Sequence, residues 1–245
     1  MLSNFLLSTS LYWQYYLMGI ILLPGIIFGI YAQNKVNKTF NTYSNITNEG
    51  GRTASEVAKI MLNAAGCNDI KIAKISGELT DNYNHSKKTV SLSNSVYDST
   101  SVSAIGVAAH EVGHVLQYKT NYTPIKLRKF AIVASNISSN LLWPLVIIGL
   151  IFNFALASVA GDIILWSGVI VFSLAVLVNL VTLPVEYNAS RRATTILKES
   201  GLLTEQESEQ AGKVLNSAAL TYVASLIISI LNLLRFLLVF IKKDD

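Results

Sequence analysis

Four apolar runs, each near the roughly 20 residues that a helix needs to cross a bilayer, constrain this 245-residue chain more than any other feature. They cover about Leu11 to Ala32, Leu141 to Ala160, Ile163 to Val185 and Ala219 to Ile241. Only 14% of the residues are charged and 51% are hydrophobic, whereas soluble domains carry about 25% charged residues. An ordinary soluble protein and a disordered chain are both disfavoured by this balance. The first run has no Lys or Arg ahead of it, and the first basic residue, Lys35, follows it. A secretory signal has the opposite polarity, so the run reads as a retained anchor. Only Gly161 and Asp162 separate the second and third runs, which predicts a tight helical hairpin. Arg235 interrupts the fourth, close enough to its end to snorkel to the interface.

Basic residues sort between the loops. Twelve lie between the first and second runs and four between the third and fourth, which makes 16 of the 19 Lys and Arg on one side. The positive-inside rule puts that side in the cytoplasm and the amino terminus outside. Tyr12, Trp13, Tyr15 and Tyr16 then mark the outer interface and Tyr31 the inner one. The net charge of +4 reads as orientation and contact with the lipid bilayer. Lys119, Lys126, Arg128 and Lys129 precede the second run and either draw the domain onto anionic lipid or only enforce topology. No motif for nucleic acid accompanies the basic residues, so no nucleic-acid partner is expected.

The expected division is an anchor (1–32), a cytoplasmic domain (33–130), a transmembrane hairpin (131–185), a cytoplasmic segment (186–218) and a last transmembrane helix with its tail (219–245). Within 33–130, Thr53-Ala-Ser-Glu56 has the pattern of a capping box and predicts a helix from Ala54 to Ala65, closed by Gly66. Ile70 to Ile72 and Thr89 to Ser93 read as strands, and Asn82 to Lys87 as the hairpin loop between them. Ser101 can cap a helix from Val102 to Tyr118.

That last helix contains His110-Glu111-Val112-Gly113-His114. Residues four apart share a helix face, so both imidazoles can converge on one metal ion. Glu111 lies slightly round the helix, where a carboxylate serves as general base in the HExxH arrangement of zinc peptidases. A catalytic zinc needs a third protein ligand. The single cysteine, Cys67, excludes a disulfide framework and a site built on several thiolates, and His85 is the only other histidine. Glu186, at the end of the third run, is the better candidate, the bland alternative being a salt bridge to Arg191 or Arg192. Tyr187, Arg191 and Arg192 are open choices for a donor to an oxyanion.

The chain resembles the YugP-type neutral zinc metallopeptidases, a family of bacterial membrane proteins, and more distantly the HtpX membrane proteases. The resemblance rests on Gly77 to Tyr83, Lys88 to Ser93, Val107 to His114, Ser139 to Pro144 and Leu183 to Ala193. It implies a zincin-like fold beside membrane helices, zinc as cofactor, Glu186 as the third ligand, and Thr89 to Ser93 as the edge strand along which substrate is laid. One position departs from the family pattern. Asn188 stands where the resemblance leads one to expect Asp; it can accept a hydrogen bond from a ligand imidazole but supplies no charge.

Together these readings predict a mainly α, membrane-embedded protein with about four transmembrane helices and a small α+β metallopeptidase domain. They predict a zinc-dependent metalloendopeptidase acting at the cytoplasmic face, with one Zn2+ per chain on His110, His114 and Glu186. Glu111 is the general base, and Asn188, Tyr187 and Arg191 are the nearest supporting candidates. Peptides or proteins, membrane proteins among them, are the expected substrates. The alternative is a zinc-binding membrane scaffold without turnover. A transporter is disfavoured, because the runs hold almost no ionisable group near mid-membrane.

Overall fold

The computed structural model describes residues 18–133 and 159–241. After a 3-10 turn over Met18–Leu22 the helices are α1 (Leu23–Ser44), α2 (Ala54–Ala64), α3 (Asn94–Tyr97), α4 (Val102–Lys119), α5 (123–133), α6 (Val159–Glu199) and α7 (Glu205–Ile241). The strands are β1 (Lys71–Ile75), β2 (Asn82–Asn84) and β3 (Thr89–Ser93). The chain divides into two compact units, one of residues 1–30, 126–182 and 222–245, the other of residues 31–125 and 183–221.

The first unit supplies most of the apolar helix. Among the described residues three helices are long and apolar enough to cross a membrane, over Gly19–Ser44, Trp166–Glu199 and Glu205–Arg235. Four spans were expected; the second, over 141–160, falls almost wholly outside the described residues. The expected break at Gly161 and Asp162 is not found, because α6 is already helical there. A glycine inside a helix costs about 1 kcal/mol relative to alanine and does not by itself end one. Nor does Pro184 end α6, although its ring nitrogen has no hydrogen to give the carbonyl four residues back. At 1.5 Å per residue the 41 residues of α6 extend about 60 Å, twice the roughly 30 Å hydrocarbon core. Its last turns, including Glu186, belong to the second unit.

The second unit has its own core. Val57, Met61 and Leu62 of α2 meet Val90 and Leu92 of β3, Ile105 and Val112 of α4, Leu197 of α6 and Leu215 of α7. Thr53 and Glu56 complete both halves of the capping box: Glu56 N–H donates to Thr53 Oγ1 at 3.3 Å and Thr53 N–H to Glu56 Oε2 at 2.8 Å. Helix α2 closes at Gly66, whose φ of +63° is open to glycine at little cost.

The sheet order is β1-β3-β2, with β3 parallel to β1 and antiparallel to β2. This corrects two expectations. Thr89 to Ser93 is the central strand, paired on both sides, and not an edge. Asn82–Asn84, expected in a loop, is the strand that covers it, leaving the turn to the residues that follow; Lys88 N–H donates back to His85 O at 3.3 Å. Asparagine is depleted in strands, so the signal was overridden by pairing with Thr89, Val90 and Ser91. Beyond that pairing the Asp81 carboxylate accepts from Ser93 N–H at 2.8 Å and from its hydroxyl at 3.0 Å.

Candidate metal centre

Helix α4 starts where the Ser101 hydroxyl accepts from Ala104 N–H at 3.3 Å, and this cap sets the phase of the helix. Fourteen of its 18 residues are buried, so it is surrounded and not merely amphipathic. Gly113 lets it approach α6. A Cβ on Gly113 would collide with the carbonyl oxygen of Ala189, so no side chain fits between the two backbones there. That close crossing sets His110 and His114, one turn apart on α4, against Glu186 on α6.

His110 Nε2 lies 3.1 Å and His114 Nε2 3.6 Å from Glu186 Oε2. The imidazole rings meet edge to face, with centroids 4.7 Å apart. One donor atom from each of the three residues falls within 4.8 Å of the other two. Glu186 is 1% exposed, and burying a carboxylate demands a compensating charge or donor. Two imidazole nitrogens and one carboxylate oxygen form a donor set found in catalytic zinc sites. The residues therefore fit a zinc ion.

The far side of each imidazole is also held. His110 Nδ1 is 3.1 Å from Ser190 Oγ, and His114 Nδ1 is 3.0 Å from Gln117 Oε1. Gln117 Nε2 donates to Val185 O at 2.7 Å and to Asn188 Oδ1 at 3.0 Å. Arg192 Nε donates to the same Asn188 oxygen at 2.8 Å.

Glu111 is buried and makes no side-chain hydrogen bond among the described residues. Burial pushes its carboxyl above the usual range, against the pull of His114 and His110. For His114 burial opposes the charged form, but the carboxylates of Glu186 and Glu111 beside it outweigh that, and the imidazole is raised. Glu111 is thus a stronger base than a solvated carboxylate.

The other sequence candidates fall elsewhere. Asn188 makes no hydrogen bond to either imidazole of the group; its Oδ1 accepts from Gln117, which meets His114. Tyr187 and Arg191 line a groove of about 830 Å³ between α6 and α7, together with Tyr122, Asn188, Ser190 and Lys213. None of the three donor residues lines that groove, although Ser190 and Asn188 connect the two places. His85 is exposed and stacks on Tyr118, with ring centroids 3.9 Å apart. Gln117 and Ser190 were not anticipated, yet their spacing carries a signal. Gln117 is three residues after His114 and Ser190 four after Glu186, so each shares a helix face with one of the three donor residues.

Residues 18–241 match the model of a family described as "Putative neutral zinc metallopeptidase". Over 216 residues the chain is 40% identical to the "Putative membrane protease YugP" of Bacillus subtilis (strain 168), an overlap of 88% of this chain and 92% of that protein. No solved structure matches the chain.

Proposed function

The chain belongs to the neutral zinc metallopeptidase family, and from that premise we propose that it is a membrane-bound zinc endopeptidase working at the cytoplasmic face. One observation carries the reading: two imidazoles and a buried carboxylate converge beside a second buried carboxylate, Glu111, that no hydrogen bond occupies among the described residues. His110, His114 and Glu186 would hold the zinc. When bound, zinc lowers the pKa of a water to about 7 and polarises a carbonyl. Glu111 takes the proton of the attacking water on its carboxylate and passes it to the leaving amide nitrogen. Its burial supports this role, because a raised carboxyl lies closer to the pH at which it must exchange a proton. Ser190 and Gln117 keep the two imidazoles from rotating.

The apolar helices and the membrane protease among the relatives support a site close to a bilayer. The crowding of Lys and Arg into the two loops that build the second unit supports the cytoplasmic side. Proteins in or on that membrane are the substrates such a position favours.

Glu111→Gln is the direct test. The full chain in detergent should bind zinc as the wild type does and lose at least about a hundredfold in peptide hydrolysis. Equal turnover in the variant and the wild type would remove Glu111 from the chemistry. Zinc binding without hydrolysis of any peptide by the wild type would instead describe an inactive scaffold.

A further inference from the structure

Resting on the zinc reading above, we propose that Gln117 is a positioning residue that presets His114 for metal by fixing which ring nitrogen carries hydrogen. Gln117 is fully buried, and every polar atom of its side chain is engaged. Two anchors decide its orientation. The Val185 carbonyl can only accept, so the amide nitrogen of Gln117 must face it. The Arg192 guanidinium can only donate, so Asn188 turns its oxygen toward Arg192, and that same oxygen accepts again from Gln117.

With both amide hydrogens committed, Gln117 Oε1 is left for His114, and a carbonyl oxygen can only accept. The hydrogen therefore sits on His114 Nδ1, and the lone pair of the neutral ring is on Nε2, the atom that faces Glu186. His110 is held differently. Its Nδ1 meets the Ser190 hydroxyl, which can donate or accept, so that contact restrains the ring without choosing a tautomer. One ligand is preset and the other adapts. Asn188 fits this arrangement without a negative charge, since the chain of bonds uses only its oxygen as a double acceptor.

The test uses the full chain in detergent, with zinc itself as the probe, and follows the histidine tautomers by NMR on isotope-labelled histidine. In the zinc-free wild type at alkaline pH, His114 should show hydrogen on Nδ1. In Gln117→Leu that preference should be lost, and zinc should bind about 10–100-fold more weakly. Gln117→Met, which matches the side chain in length, carries the same expectation if the leucine variant does not fold. Arg192→Ala, which frees Asn188 to turn over, should shift both readouts the same way by less. A folded Gln117 variant with the wild-type tautomer and unchanged zinc affinity would overturn the proposal and leave the metal centre standing. A folded wild type that takes up no zinc would remove the metal centre itself, and with it the role given to Gln117.

Discussion

Helix α6 obeys two different rules along its length. In its amino-terminal half Trp166, Ile170 and Leu177 are all more than half exposed, while in its carboxy-terminal half Glu186 is 1% exposed and Ser190 is buried. Water tolerates neither arrangement on such a scale. Large apolar side chains pointing outward along a helix need lipid around them, where a helix satisfies its own backbone. A buried carboxylate needs partners, and Glu186 meets two imidazoles. The contrast teaches that hydropathy alone separates the membrane half from the rest, but only the partners found by the far half give it a chemical purpose.

Three substitutions would break or sharpen this contrast. Gly113→Ala acts on the buried half and should have the largest effect. The new methyl meets a backbone oxygen that no rotamer change can move, so the cost should reach or exceed about 3 kcal/mol. Thermal unfolding in detergent should show a much lower midpoint, and zinc content should fall with it. Leu177→Lys acts on the apolar, outward-facing half. Insertion of that segment should cost about 3 kcal/mol, seen as less chain recovered in membranes, while the protein that is recovered keeps its zinc. Loss of zinc from correctly inserted Leu177→Lys protein would mean that the two halves are not independent. Thr53→Ala touches neither half directly. It removes the α2 cap and should cost about 1 kcal/mol in thermal unfolding with zinc content unchanged.

What the sequence makes legible follows from how local each feature is. The capping box at Thr53 and Glu56 and the cap at Ser101 are decided within four residues, and both are present. The spacing of His110, Glu111 and His114 is equally local, since one helical turn places both imidazoles on a single face. Glu186 lies 76 residues from His110, and nothing local brings it there; only its place at the end of an apolar run and the family resemblance point to it. The Gln117 relay was hidden because it reads as an uncharged polar residue in an apolar helix until Val185 and Asn188 stand opposite it. The sheet was the least legible part. Asn82–Asn84 has turn chemistry, and only its pairing with β3 makes it a strand, which in turn moves Thr89 to Ser93 from the edge to the centre. The edge position expected of that strand fails for the same reason.

The central claim is that α4 and α6 together build a zinc site. It is tested most directly by the metal content of the detergent-purified wild type measured beside Glu186→Ala and His85→Ala. The wild type and His85→Ala should each carry about one zinc ion per chain, and Glu186→Ala should carry almost none. Zinc retained in full by Glu186→Ala, or absent from a demonstrably folded wild type, would contradict the site described here.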